Sequence, residues 1–302
     1  MQIRSLIYFY ELVRSKSMRQ AAQRLNVAPT AISRQVANLE HHFGTPLVDR
    51  DSRGIRLTAA GELLAERLSR TLRDLDQVAV FIDDLKGLRR GEVKIVTNGA
   101  LTTSILTPAV ASFSALYPQV SFDIRTLSAS DAIERLVLAE ADIALTMFTP
   151  AHPDVVERLS GAVENMVVVA PDHPLAKLPH VSLAEIAQFP LAIPDETFGA
   201  RRALEDSAAQ AGVDLNRLFV TNSIEIQKEL GRRGSAALIL PALAVAREMA
   251  LGELCAVPIR GGWQIRTRLA LSVTRDRTLP FAASKLLSHL EHHLQKLLGK
   301  DA

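Results

Sequence analysis

From Ala59 to about residue 88 the apolar residues Leu64, Leu68, Leu72, Leu75, Val78, Ile82 and Leu85 recur at steps of four, four, three, three, four and three. That rhythm approaches a coiled-coil seam and predicts one helix of some thirty residues. At 1.5 Å per residue the helix spans roughly 45 Å, too far to hide its apolar stripe against the small segment before it. A partner chain is the natural cover, which makes Leu64, Leu68, Leu72, Leu75, Val78 and Ile82 the expected dimer contacts. Packing against the chain's own C-terminal part is the alternative. Arg67, Arg70 and Arg73 alternate with Glu66, Asp74 and Asp76 outside the seam, and Arg89-Arg90-Gly91 closes it as a hinge. The seam divides the chain into residues 1–58, a linker helix with its hinge at 59–90, and residues 91–302.

The first part reads as three short helices and a hairpin. Leu6, Phe9 and Val13 share one helical face. Ser17 caps a second helix whose Ala21 and Ala22 admit a close neighbour, and Asn26-Val27 makes a tight exit. Pro29 opens a third helix, where its missing N–H costs nothing. Ile32, Val36, Leu39 and Phe43 form the apolar stripe of that helix. Opposite them lie Thr30, Arg34, Ala37 and His41, flanked by Ser33 and Asn38, with no acid among them. Such a face suits a major groove about 12 Å wide, with Arg34 reaching a phosphate or a guanine edge. A single helix of this kind reads more readily as a solvated surface. Two such helices joined by a short turn match a helix-turn-helix instead. Residues 50–58 then read as a hairpin with Ser52-Arg53-Gly54 at its tip, a basic wing suited to the minor groove. Charge points the same way: residues 1–60 hold nine Arg or Lys against four acids, while the whole chain nets only +2. A polyanionic partner is implied at this end.

Ala21-Ala22-Gln23-Arg24-Leu25, Ala31-Ile32-Ser33-Arg34-Gln35-Val36, Leu39-Glu40, Phe43-Gly44, Pro46-Leu47, Asp49-Arg50 and Leu57-Thr58-Ala59-Ala60-Gly61 together resemble the signature of LysR-type transcriptional regulators, from about residue 3 to residue 65. The resemblance implies binding to double-stranded promoter DNA, with indirect consequences for RNA polymerase. It also implies linker helices paired antiparallel in a homodimer, with a homotetramer as the larger assembly. Expected DNA contacts are Met18, Arg19, Pro29, Thr30, Ser33, Arg34, Asn38, Arg50 and Arg53. Two positions depart from the family pattern. Ala28-Pro29 stands where Ser-Gln is usual, which removes a glutamine that commonly reads bases. Met18 stands where an aromatic residue or leucine is usual, and methionine adapts to such an apolar position.

After Gly91 short β-branched runs alternate with helices. Strands are expected at 93–96, 122–127 and 143–146, with helices at 103–116 and 132–139 between them. A second set follows, with strands at 167–170, 191–193, 219–221 and 236–240 and helices at 201–211, 225–232 and 241–251. A strand at 269–273 and a helix at 284–298 return to the first set. The pattern predicts βαβ units and a mostly parallel sheet. The resemblance adds two similar lobes joined by crossing strands, with lobe I at 91–162 and 268–302 and lobe II at 163–267. The expected fold class is therefore multidomain: an α-helical winged helix-turn-helix and long linker helix, then an α/β bilobal effector domain like a periplasmic binding protein.

Ligands of open α/β sheets bind beyond the carboxyl ends of the strands, beside helix starts. Those positions carry Gly99, Ala100, Thr102, Thr103, Ser128, Thr146, Phe148, Thr197, Phe198 and Asn222, with Thr102 and Thr146 favoured. Hydroxyls next to helical N–H groups suit a small-molecule effector with a carboxylate, although each hydroxyl also reads as a simple cap. Arg201 and Arg202 are candidates to neutralise an acidic ligand, and Arg202 is expected to pair with Glu205.

An enzyme is the rival class, but the chain lacks a glycine-rich phosphate loop, paired metal-ligand spacing and a nucleophile elbow. Adjacent histidines at His41-His42 and His292-His293 point apart, so no catalytic, metal or cofactor site is expected. The lone Cys255 fits a reducing compartment and a buried position. The apolar stretch at 6–13 is broken by Glu11 and resembles no signal peptide, and no run approaches the 18 or so apolar residues that cross a bilayer. A cytoplasmic regulator without a membrane partner is expected. A DNA-binding protein that senses nothing, and a cytoplasmic solute-binding protein, are the alternatives.

Overall fold

Helix α1 (Ile3–Ser15) buries Leu6, Phe9 and Leu12 against two helices that follow closely. The computed structural model describes residues 3–15, 17–51, 54–85, 91–260, 266–275 and 277–298. The wing-tip residues Ser52 and Arg53, the hinge pair Arg89-Arg90 and the side chains of Arg50 and Ile82 lie outside the described residues. The chain forms two compact units, Met1–Ile82 and Asp83–Ala302.

In the first unit, α2 (Met18–Leu25) begins where the Gln20 N–H donates to Ser17 Oγ, and ends at Asn26 in the left-handed region with φ of 52°. Pro29 opens α3 (Pro29–Phe43), which buries Ile32, Val36 and Leu39. The expected stripe is one residue too long, because Phe43 is 44% exposed and meets the His42 ring edge-on. Gly44 ends the helix with φ of 67°. Strands β1 (Val48–Asp51) and β2 (Gly54–Leu57) pair antiparallel. Glu40 ties α3 to this hairpin by accepting the N–H groups of Leu47 and Val48 at 2.9 and 3.2 Å.

Helix α4 (Ala59–Leu85) starts after Thr58, whose hydroxyl donates to the Pro46 carbonyl and accepts the Gly61 N–H. A Cβ at position 61 would lie 2.0 Å from the Leu47 carbonyl oxygen, so only glycine fits there. The seam of α4 divides in two. Leu68 is 4% exposed within a single chain, and Leu64 and Leu72 pack half-buried on the same core. Within a single chain these three leucines contribute to the helix-turn-helix core. Leu75 and Val78, beyond the reach of that core, are 50% and 47% exposed.

The second unit begins with β3 (Gly91–Thr97), then a continuous helical run: α5 (Gly99–Leu101), a π-helical segment (Thr102–Leu106) and α6 (Thr107–Leu116). Gly99–Leu116 is long and apolar enough to cross a membrane by length and composition, contrary to expectation. It buries Leu101, Ile105, Leu106, Ala109 and Phe113 in the protein core instead. Next come β4 (Val120–Thr126), α7 (Ala129–Val137), β5 (Ile143–Met147) and the long β6 (Val155–Val169). The second lobe adds α8 (Leu183–Ile186), β7 (Ala192–Ile193), α9 (Gly199–Ala211), β8 (Phe219–Val220) and α10 (Ile224–Arg232). It continues with β9 (Leu238–Pro241), α11 (Ala246–Ala250) and β10 (Cys255–Val257). Finally β11 (Arg266–Thr274) and α12 (Phe281–Leu297) return to the first lobe.

The main sheet runs β10-β6-β11-β5-β3-β4, with β9 also on β6. Only β4 and β5 pair parallel with β3, whereas β6, β9, β10 and β11 pair antiparallel, so the sheet is mixed rather than mostly parallel. The cause is β6. Its first half, up to Glu164, pairs with β11, and from Asn165 onward it pairs with β9 and β10. One strand thus serves both lobes. The expected strand covers only 167–170 because the first half of β6 carries exposed Glu157, Arg158 and Glu164, which hide its strand character.

Candidate functional site

The first candidate surface is the outer side of α3. Thr30, Arg34, Ala37, Asn38 and His41 are exposed, and Ser33 is half-buried. Arg34 has no ion pair among the described residues. Gln35 points the other way: it is buried and accepts a hydrogen bond from Ser5 Oγ at 2.6 Å, which locks α3 to α1. Pro29, the first residue of α3, and Arg19 of α2 are also exposed, whereas Met18 packs half-buried on the core at the start of α2. Arg24 is committed to Glu11 at 3.0 Å. An exposed guanidinium on a helix face free of acids makes a local positive potential that attracts phosphate and can donate to a base edge.

The second candidate site is a cavity of about 510 Å³ between the lobes of the C-terminal unit. Lobe I contributes the ends of its strands and the helical run after β3: Asn98, Gly99, Ala100, Thr102, Thr103, Thr126, Met147 and Phe148. Lobe II contributes the starts of α9 and α10, with Phe198, Gly199, Ala200, Asn222, Ser223, Glu225 and Gln227, and the crossing strand adds Asn165. Asn98 is a brace: Nδ2 donates to the Leu127 carbonyl, and Oδ1 accepts the Met147 N–H. Neither α5 nor α9 has a side-chain cap, so their first N–H groups, at Gly99-Ala100 and Gly199-Ala200, are presented on cavity-lining residues. At α10 Ser223 Oγ accepts the Ile226 N–H at 3.4 Å. Helix starts carry partial positive charge, so this lining favours ligand oxygens.

Of the expected effector contacts, Gly99, Ala100, Thr102, Thr103, Phe148, Phe198 and Asn222 line the cavity. Three do not. Ser128 is buried as the cap of α7, accepting the Asp131 N–H at 3.2 Å. Thr146 is wholly buried against Thr149 Oγ1 at 2.8 Å, because β5 runs one residue further than expected and side chains alternate along a strand. Thr197 is exposed and donates to Asp195 Oδ1. Thr126, Asn165, Glu225 and Gln227 escaped the sequence reading. The rule about strand ends finds Thr126 once β4 is ended correctly, and Asn165 once β6 is recognised.

Charges around the cavity are also rearranged. Arg201, not Arg202, pairs with Glu205, at 2.6 Å with helical spacing of four, and it also donates to the Pro194 carbonyl. The Arg201 hydrogen bond, with Arg217 assisting, holds the Glu205 carboxyl below its ordinary value. Arg201 is therefore occupied within the protein, and neither arginine lines the cavity. Buried Lys228 sits between Glu225 at 2.8 Å and Glu248 at 3.0 Å. Burial opposes both charges, yet the hydrogen bonds prevail: the Lys228 ammonium is held above its ordinary value and the Glu248 carboxyl below. Glu225, the charged side chain on the lining, is thus partly neutralised by Lys228.

Known proteins resemble both units. Residues 3–62 match the family model of the bacterial regulatory helix-turn-helix protein, lysR family, and residues 86–295 match the LysR substrate binding domain. The RuBisCO operon transcriptional regulator of Acidithiobacillus ferrooxidans is 29% identical over 260 residues, covering 86% of this chain and 84% of that protein. The HTH-type transcriptional regulator IlvY of Escherichia coli is 35% identical over 174 residues, 56% of each chain. In fold the chain is similar to full-length CbnR complexed with its target DNA, at TM-score 0.64 and 21% identity over 97% of this chain and 100% of that one. It is likewise similar to full-length OxyR from Pseudomonas aeruginosa, at TM-score 0.70 and 17% identity over 98% and 95%. With a helix-turn-helix and a substrate-binding domain both matched, together spanning most of its length, the chain belongs to the LysR family of DNA-binding transcription regulators.

Proposed function

We propose that this regulator reads its operator through α3 and that a small polar molecule in the two-lobed cleft alters promoter activity. Arg34 contacts a base or phosphate, Thr30, Ser33 and Asn38 flank it, and Arg19 and Pro29 approach the backbone. Arg50 and Arg53 serve the wing. The working parts are the helix-turn-helix at 1–58, the linker at 59–90 and the effector domain at 91–302. The exposed, acid-free side of α3 is the observation that carries this reading.

Two copies pairing through the linker helix present two such faces, so their phosphate contacts add and salt dependence steepens. The exposed Leu75 and Val78 support a homodimer, with a homotetramer as the larger assembly. The effector carries acceptor oxygens, a carboxylate being the simplest, because the cleft offers N–H groups and hydroxyls from three helix starts. Promoter output, and through it RNA polymerase, responds only if the ligand has different affinities for two arrangements of the protein. The setting is the cytoplasm, where promoter DNA is found.

The test uses purified full-length protein and the DNA flanking its own gene, in binding and footprinting assays at low and high salt. Small carboxylates and amino acids that raise the melting temperature are then added. Specific binding with a footprint or bend altered by one of these compounds supports the proposal. Indifference to that DNA at low salt sinks the DNA reading, and identical footprints with every stabilising compound sink the effector reading.

A further inference from the structure

Two glycines on the cavity lining each face a side chain of the opposite lobe. A Cβ added to Gly199, the first residue of α9 in lobe II, would fall 2.6 Å from Phe148 Cβ and 3.2 Å from its Cγ, in lobe I. Real Cβ atoms do not approach so closely, and Phe148 Cβ is fixed to the backbone and cannot swing aside. Gly99, at the start of α5 in lobe I, faces Ile224 of α10 in lobe II, where an added Cβ would lie 3.0 Å from Cγ2. That stop is softer, because the far end of a side chain can yield.

Phe148 is unusual in its own backbone. Its φ is 57°, in the left-handed region that a bulky side chain rarely adopts. Its N–H donates to Thr267 Oγ1 at 3.2 Å, and Thr267 is buried on the returning strand β11. Its side chain packs against both hydrophobic clusters of the unit, the one that runs through lobe I and the one inside lobe II. Strained conformations persist only where the surroundings fix them, and they gather at ligand clamps. Here the surroundings are a buried hydroxyl from the returning strand β11 and a neighbour with no side chain.

We propose that Phe148 and Gly199 are positioning residues that set how closely the two lobes approach, and so the width of the cleft, with Gly99 against Ile224 as a second, softer stop. The left-handed turn brings Phe148 Cβ onto the opposite lobe, and the bare backbone of Gly199 receives it. The relevance to ligand rests on the reading of the cleft as the effector site, whereas the contact itself concerns the protein alone.

Amide hydrogen exchange on the full-length protein tests it without ligand or DNA. Gly199→Ala forces the contact apart, so the cleft segments 97–103 and 222–228 exchange about tenfold faster than in the wild type. Gly212→Ala is the control: it adds a backbone penalty at φ of 64°, which Gly199→Ala lacks, but has nothing within 4 Å, and it leaves both segments unchanged. In a Phe148→Gly background Gly199→Ala adds no further acceleration, because the atom that it strikes is gone. If Gly199→Ala does not fold, Gly99→Ala carries the test with an acceleration of about two- to threefold. Wild-type exchange in the variant tested, equal acceleration in Gly212→Ala, or additive effects of the two substitutions overturn the proposal. Unaltered footprints with stabilising compounds strike the effector reading and leave this contact standing.

Discussion

The proposed DNA-facing surface is written on one helix of fifteen residues, whereas the cleft is gathered from segments scattered between Asn98 and Pro241. A helix face needs only its own periodicity, since burying Ile32, Val36 and Leu39 automatically turns Thr30, Arg34 and Ala37 outward. A cleft needs strand ends and helix starts from both lobes to be placed correctly. An error of one residue at a strand end exchanges the side chain that lines the site for the one that faces the core. The two regions also differ in what holds them. The α3 face stands on an apolar core, whereas the wall of the cleft at α10 stands on buried charge.

That contrast is broken most directly at Lys228. Lys228→Ala leaves Glu248 buried without its partner, and Glu248 Oε2 already has none among the described residues. Loss of one member of such a pair costs about 3–5 kcal/mol, expected as a lower denaturant midpoint of the C-terminal unit with the N-terminal transition unmoved. The sign with pH follows from the two shifts. The lowered Glu248 carboxyl stabilises above its ordinary value and is lost as pH falls through the folded value. The raised Lys228 ammonium stabilises below its ordinary value and is lost as pH rises through the folded one. In the wild type the contribution is therefore full near neutrality and falls at both extremes, and Lys228→Ala flattens the acid limb of that profile. A single coincident transition for both units contradicts their independent unfolding.

Along α4 the seam passes from buried Leu68 to exposed Leu75 and Val78, which the proposal assigns to a partner. Leu68→Ala empties a site inside the helix-turn-helix core and costs about 2–4 kcal/mol in chemical denaturation. Leu75→Ala, half-exposed in the single chain, alters that stability little but weakens self-association in sedimentation by about 1–2 kcal/mol. Equal stability losses at both positions put Leu75 inside a single-chain core.

The seam also marks what was legible. Its period identified the helix, but heptad spacing does not say where a domain core ends and a free stripe begins, because both want leucine at the same intervals. The strands of lobe I were legible as β-branched runs; the polar half of β6 was not, since one exposed face dilutes its pattern. Thr146 was misplaced by an unrecognised Met147 at the end of β5, and Arg202 was given the partner that helical spacing assigns to Arg201. Each miss lies where tertiary contacts choose between two locally equivalent readings.

Arg34 sharpens the other half of the contrast. Arg34→Ala leaves the melting temperature unchanged, because the residue is exposed and carries no packing. It weakens operator binding by about 1–3 kcal/mol if the guanidinium reads a base, with relaxed preference at that base pair. A uniform loss on every sequence, with a shallower salt slope, assigns it to phosphate instead. Unchanged affinity removes it from the interface.

The smallest effect compares the same residue type in the two regions. Ser17 caps α2 and Ser223 caps α10, each accepting an N–H three residues on, at 3.5 and 3.4 Å. Both bonds are long and exposed, so replacement by alanine costs stability of about 0.5–1 kcal/mol in each case. Their surroundings then separate them. Ser17 has only its cap to lose, so Ser17→Ala changes operator affinity no more than its loss of helix stability allows. Ser223 lines the cavity, and while its oxygen accepts the Ile226 N–H, the proposal gives its hydroxyl hydrogen to a ligand oxygen. Ser223→Ala therefore also lowers the melting-temperature gain produced by the carboxylates that stabilise the wild type, beyond the drop in the ligand-free protein. If that gain is unchanged, Ser223 is a cap and nothing more, and the ligand is held by backbone N–H groups without it.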